Sequence, residues 1–392
     1  MSADKPVHRP DITTKSRAPA RLPAWADLGL VPVLNVFAAF LVSGLVVLFI
    51  GENPLRAAQI LIWGAIGYGE GIGFTLFYAT NFTLTGLAVA VAFHAGLFNI
   101  GGEGQAYVGG LGVALVALAF DQYLPWWLVF PMAILAAAIV GAAWAFLPAW
   151  LQARFGSHIV ITTIMFNFIA ASLMVFLLAN YFRQTGSMAP ETRTFGPGGT
   201  LPRLDGLFAL FGADLGGAPL NVSLFLALVA AVAVYLLIWR TKLGYEIRAF
   251  GLNPNAAVYA GISAYRIIII TMLISGGLAG LMAINPILGD QQRLQIEFVQ
   301  GAGFVGIAVA LMGRAHPVGI VLASLLFGML YQGGAELAFE MPAISRDMIV
   351  VIQGLVILFA GALEHMFRPG LTRLFAFAPP ARQALPDSRE RA

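Results

Sequence analysis

Apolar residues run along this chain in long stretches separated by short polar or glycine-rich interruptions. Ten such stretches can be read, at roughly 28–50, 74–95, 101–120, 126–150, 158–182, 221–240, 264–288, 299–313, 317–334 and 347–366. A straight helix needs about 20 apolar residues to cross the hydrocarbon core, so most of these predict membrane-spanning helices. Several are too short, residues 299–313 most clearly. The predicted fold is therefore an all-α polytopic membrane protein of about ten transmembrane segments, some short or broken, in two roughly equivalent halves. A further apolar stretch, Asn53 to Gly67, predicts a helix lying along the membrane surface.

Composition fixes the class. The chain is 59% hydrophobic and 10% charged, against roughly 25% charged residues in a soluble domain. Residues 1–27 hold five Lys/Arg, four Pro and no long apolar run, and read as a disordered basic cytoplasmic tail. The next stretch, Leu28 to Ile50, has 23 residues. It is longer than the roughly 7–15 residues of a secretory h-region and reads as an uncleaved first span. Residues 28–368 then form the membrane domain, and 369–392 a second cytoplasmic tail. With ten crossings, 16 basic residues fall on the side of both termini and six on the other. The positive-inside rule places both termini in the cytoplasm. It also makes 183–220 a Gly- and Pro-rich extracytoplasmic loop, long enough to cover a pore mouth, and 241–263 a cytoplasmic loop.

The residues exclude much chemistry. There is no cysteine, hence no disulfide or thiolate site. The three lysines, Lys5, Lys15 and Lys242, sit in no G-x-x-x-x-G-K-[ST] context, so this chain binds no nucleotide through a P-loop. There is no G-x-S-x-G or H-E-x-x-H motif, and the five histidines are scattered. No metal site, catalytic residue or nucleic-acid surface is expected. A transporter or channel is left.

Within the apolar pattern, "GLFNIGGEGQ" (Gly96–Gln105) places Asn99, Glu103 and Gln105 among four glycines. That density of glycine marks a helix break or a close backbone approach. Broken backbone at membrane depth survives where protein or a watery cavity satisfies it. Glu103 either lines a pathway there or sits at an interfacial turn. "GRAHPVG" (Gly313–Gly319) is a second interruption, and paired interruptions point to a central transport site; His316 reads as a turn cap rather than a ligand. Thr163 and Asn167, four apart, share a helix face and either line the path or bond between helices. Phe98 beside the break is a candidate for stacking on a ring-shaped solute. Gly276-x-x-x-Gly280 predicts close helix packing, and Asn285-Pro286 a kink or stop. Trp126 and Trp127 read as interfacial belt residues. "TKLGYEIRAFGLNPNAAVYAGI" (Thr241–Ile262) is longer than a simple connector and broken at Gly251 and Asn253-Pro254.

Two of these stretches, "GLAVAVAFHAGLFNIGGEGQ" and "GYEIRAFGLNPNAAVYAGI", carry a resemblance. The chain resembles, over roughly residues 30–366, permease subunits of ABC importers in the branched-chain amino acid and simple-sugar superfamily. It is most similar to nucleoside-type permeases that work with basic-membrane-protein-like lipoproteins. Sugar and amino-acid branches carry a stretch closer to GGxDLS where this chain has GLFNIGGEGQ. The resemblance implies uptake of a small polar solute, nucleosides first and simple sugars such as ribose or galactose second, across a bacterial cytoplasmic membrane. It implies a separate ABC ATPase that binds the ATP, a second permease subunit, identical or not, and an extracytoplasmic solute-binding lipoprotein. It implies no cofactor on this chain. It makes Gly244, Tyr245, Glu246, Arg248, Gly251, Asn253, Pro254 and Ala257 the ATPase-coupling segment, while the residue pattern itself makes Phe98, Asn99, Glu103, Gln105, Thr163 and Asn167 the candidate solute pathway. The competing expectation is an autonomous ion-coupled carrier with Glu103 and Glu70 as proton or cation sites.

Overall fold

The computed structural model describes residues 30–358, apart from 211 and 213, together with Pro23 and Thr372. The two tails expected at 1–27 and 369–392 lie outside these residues, save for Pro23 and Thr372. Fourteen α-helices follow one another among the described residues. They are α1 (Val31–Phe49), α2 (Pro54–Ile66), α3 (Gly69–His94), α4 (Gly102–Phe120), α5 (Trp126–Phe155), α6 (Ile159–Leu177) and α7 (Asp205–Ala209). Then come α8 (Ser223–Arg240), α9 (Lys242–Leu252), α10 (Pro254–Tyr259), α11 (Ala264–Leu281), α12 (Ala302–Met312), α13 (Pro317–Glu340) and α14 (Arg346–Ile357). Wide π-helical turns extend α6 through Leu178–Phe182 and follow α11 at Asn285–Gln291.

Local chemistry sets the helix ends. Asn53 caps α2 by accepting from Leu55 N at 2.9 Å, with Pro54 in the first turn. His316 caps α13 in the same way, its Nδ1 accepting from Val318 N at 3.3 Å ahead of Pro317. Gly156, at φ +68, ends α5. After α11 the α-helical pattern stops at Leu281, and Pro286 falls within the first π-helical turn.

Every one of the ten apolar stretches contains helix, and they differ in length and straightness. Seven helical spans are long and apolar enough to cross a membrane: α3, α4, α5, α6 to Phe182, α8, α11 to Gln291, and α13. α1 and α2 make an eighth if taken as one broken span, bent by 120°. α12 has eleven residues, about 16 Å of helix against a hydrocarbon core of about 30 Å. α2 packs one face on α13 through Leu61 and Gly64, which lie on Gly333 and Glu336, and leaves Leu55 and Trp63 exposed.

The best-hidden span is α3, 83% buried, with α11, α12, α13 and α8 around it. α4, α5 and α11 pack closely beside it. Gly276 and Gly280 make this possible: they lie on Gly141 and Ala137 of α5, and Gly280 also meets Gly109 of α4. Without side chains there, backbones approach closely enough for dispersion to hold helices together in lipid.

The bundle has two ends of different charge. At one, His94 Nε2 lies 3.0 Å from Ala315 O, and the His94 and His316 rings pack on Trp239. This end carries Arg154, Arg240, Lys242, Arg248, Arg266 and Arg314, and among the described residues Glu246 is its one acid. The opposite end carries the 183–222 connection. There Asp121 accepts from both Nη atoms of Arg193, at 2.7 and 2.8 Å, and from Gly196 N.

Candidate functional site

Two features stand out, a break at depth in the bundle and a helical pair at the basic end. The break begins where α3 ends. Gly96, at φ +69, reverses the chain, and residues 97–100 adopt no regular secondary structure before α4 starts at Gly102. Their backbone groups have no ladder, and side-chain amides supply partners instead. Asn99 Oδ1 accepts from Gly101 N at 2.9 Å and from Gln105 Nε2 at 3.2 Å. Asn99 Nδ2 donates to Gln105 Oε1 (2.9 Å) and to Ser275 Oγ on α11 (2.8 Å). Ser275 in turn donates to Ala88 O on α3. From α6, Asn167 donates to Ile100 O and accepts from Gly104 N, each at 2.9 Å. Thr163 donates to Ile159 O within its own helix, and its Cβ lies where a side chain on Gly101 would go.

Glu103 is buried, and its carboxylate spans to α12. Oε1 accepts from Gly301 N at 3.0 Å and Oε2 from Gly303 N at 2.8 Å. The α4 and α12 N-termini therefore meet, with Gly303 pressed against the backbone of Gly102 and Glu103. A carboxylate on free N–H groups at a helix start is favoured by hydrogen bonding and by the helix dipole together. Past this contact lies a cavity of about 570 Å³, lined by Glu103, Tyr107, Gln291, Gln295, Glu297 and Gln300.

Of the six residues singled out for a solute path, Asn99, Gln105 and Asn167 thus use their polar atoms in bracing the break, while Thr163 spends its hydroxyl within α6 and packs its Cβ against Gly101. Glu103 reaches the cavity. Phe98 is half-buried and stacks on Phe93, centroids 5.1 Å apart. The partner break is 292–301, between α11 and α12. The Gly313–Gly319 turn instead joins α12 to α13 at the basic end. Gln292, Glu297 and Gln300 of the 292–301 segment take positive φ without being glycine, a conformation that composition does not announce. The paired N-termini had one legible sign, the shortness of residues 299–313.

At the basic end α9 and α10 form a bent pair. Thr241 caps α9, accepting from Gly244 N at 3.0 Å. Asn253 closes α9 and caps α10, accepting from Ala256 N at 3.0 Å, with Pro254 next. Gly244, Ile247, Phe250 and Ala257 face inward. Gly251 lies against the His94 and Ala95 backbone, so α9 rests on the end of α3, next to the Gly96 reversal. Tyr245, Leu252, Val258 and Tyr259 are exposed, Tyr259 by 94%. Glu246 pairs with Lys242 at 3.8 Å. Arg248 is half-buried, and its Nε has no hydrogen-bond partner.

A family model described as the permease component of branched-chain amino acid transport systems matches residues 71–361. The glucose ABC transporter permease protein TsgB13 of Haloferax volcanii is 36% identical over 349 residues, covering 88% of this chain and 90% of that protein. The nucleoside ABC transporter permease protein NupB of Lactococcus lactis is 34% identical over 334 residues, 84% of this chain and 90% of its own. The guanosine ABC transporter permease protein NupP of Bacillus subtilis is 34% identical over 338 residues, 85% and 93% respectively.

Proposed function

The chain belongs to the family of permease components of branched-chain amino acid transport systems, and from that membership we propose that it is the membrane subunit through which an ATP-driven importer takes up nucleosides. It is a transport component, not a catalyst. In our reading the energy comes from a separate ABC ATPase that docks on α9 and α10. A second permease copy or homologue completes the conduit, and an external solute-binding lipoprotein delivers solute to the 183–220 side. The basic end then faces the cytoplasm of a bacterial cell, with both termini inside, as the excess of Arg and Lys there supports.

One observation carries the mechanism: Gly251 of α9 rests on the His94–Ala95 backbone, one residue before the Gly96 reversal that leads to Asn99 and Glu103. A push on α9–α10 reaches α3 and the glycine break directly. Because Glu103 ties that break to the start of α12, the same movement reaches the cavity beside Glu103. In this account Glu103 and Asn99 shape the inner part of the path, and the solute passes by alternating access.

A second reading keeps the machinery and changes the cargo to a simple sugar. It is favoured by the relative named for glucose, which is as similar as the two named for nucleosides. Reconstitution of the permease with its ATPase and binding protein tests both. Uptake of tritiated guanosine or adenosine that requires ATP is expected. ATP-dependent uptake of glucose or ribose with no nucleoside uptake would select the sugar reading, and uptake by the permease alone on an ion gradient would overturn both.

A further inference from the structure

Beside the Glu103 cavity, and sharing Gln291 and Gln300 with it, lies a small pocket between α3, α13 and the 286–300 region. Its free volume is about 70 Å³, and six of its thirteen lining residues are Phe or Tyr. The rings converge. Tyr331 of α13 meets Phe82 of α3 edge-on at 4.8 Å and Tyr78 at 5.7 Å, within the spacing at which aromatic faces attract. Polar groups line it as well: Asn81 beside these rings on α3, and Asp290, Gln291 and Gln300 from the 286–300 region. Asn81 Oδ1 is occupied by Asn285 at 2.8 Å, which leaves its NH2 as a donor. Gln291 Oε1 is a buried acceptor without a hydrogen-bond partner, a group that folded proteins rarely leave unmet.

We propose that this pocket is a recognition site for the planar heteroaromatic ring of the transported solute, with the Tyr78–Phe82–Tyr331 cluster as the stacking wall and Asn81, Gln291 and Asp290 reading the ring's polar edge. The proposal rests on the importer reading and adds to it the part of the solute that is recognised. A ring with donors and acceptors in its own plane presents flat faces to the aromatics and its edge to the amides. A hexose carries hydroxyls around its whole rim, and several would be left against phenyl faces, desolvated and unpaired.

The pocket has room for about two waters as it stands, and it adjoins two larger cavities, sharing Gln291 with the one beside Glu103 and Tyr78 and Tyr331 with one next to α14. Gln300 lines it, lines the cavity beside Glu103, and lines a third cavity of about 400 Å³ next to α14. Its side chain is exposed and its backbone has φ +50. Displacement of Gln300 therefore admits a ring from either larger cavity.

The test is photolabelling of membranes containing the full-length chain with 8-azidoadenosine, followed by peptide mapping. Label is expected on residues 69–94 or 317–340, removed by excess adenosine and not by excess glucose. Tyr331→Ala should lower it at least ten-fold and Tyr331→Phe should keep it. No label, label confined to other segments, equal competition by glucose, or undiminished label in Tyr331→Ala would overturn the site. Should Tyr331→Ala fail to accumulate, Gln291→Met, which removes the unpaired acceptor and keeps the side chain's length, decides by the same ten-fold criterion. ATP-independent adenosine uptake with the labelling pattern intact would sink the importer reading while leaving the pocket.

Discussion

Glu103 sits where a carboxylate is expensive, and the structure shows what holds it there: two N–H groups at the start of α12. Removing both acceptors by Glu103→Ala leaves Gly301 and Gly303 N–H unpaired, at a cost of about 1–3 kcal/mol. A lower melting temperature in detergent and reduced uptake at unchanged membrane abundance are the expected outcome. Glu103→Gln, which keeps one acceptor, should fall between. Uptake unaltered by Glu103→Ala would remove this residue from the mechanism. Asp121 gives a second prediction at this scale. Burial alone would raise its carboxyl, but the Arg193 fork and the Gly196 N–H outweigh burial and hold it below the usual range. A depressed folded-state value means that the stabilisation is full above the ordinary carboxylate pKa of about 3.9 and is lost as pH falls through the lower folded value. Hydrogen exchange at residues 193–199 should accordingly stay protected at pH 5 and open only under strong acid. In Asp121→Asn the segment should be open at neutral pH, and trypsin should cut after Arg193 faster. Equal cutting rates in the variant and the parent would contradict it.

Among elements, α9–α10 and the Gly96–Gly101 break are the pair whose contact matters. A methyl at residue 251 would collide with the His94 carbonyl, and overpacking of this kind costs about 1–3 kcal/mol. Gly251→Ala should therefore uncouple the complex: ATP hydrolysis continues, while transport per ATP falls several-fold. If Gly251→Ala transports with parental stoichiometry, the two elements are not linked as described. Both elements were legible in the sequence for local reasons, four glycines in ten residues in one and Asn253-Pro254 in the other. The facing break at 292–301 was not. Three of its four positive-φ residues are Gln or Glu, and its role comes from Gly303 meeting Glu103 two hundred residues away in sequence. Thr163 and Asn167 could be placed on one face by spacing, but spacing could not say that Asn167 is held by Gly104 and Ile100. The aromatic cluster of Tyr78, Phe82 and Tyr331 was equally hidden, since it joins two helices distant in the chain.

For the whole molecule, the apolar pattern located the helices, and among the described residues seven or eight of them are long and apolar enough to be crossings. Eleven-residue α12 and the bent α1–α2 pair are apolar without being straight spans, because length and direction depend on where neighbouring chain satisfies their ends. Charge was more informative than count. Among the described residues, six basic residues and one acid mark the end that carries α9–α10, and that end is the proposed cytoplasmic face on which the ATPase docks. The chain contains no cysteine, so single cysteines report without background. Tyr259→Cys and Met188→Cys, both nearly fully exposed in the isolated chain, sample opposite ends. The decisive measurement is crosslinking of each variant to the ATPase subunit in native membranes, with an impermeant maleimide added outside. The account predicts that position 259 crosslinks to the ATPase and resists the external reagent, while position 188 reacts with the reagent and does not crosslink; the reverse pattern would contradict it.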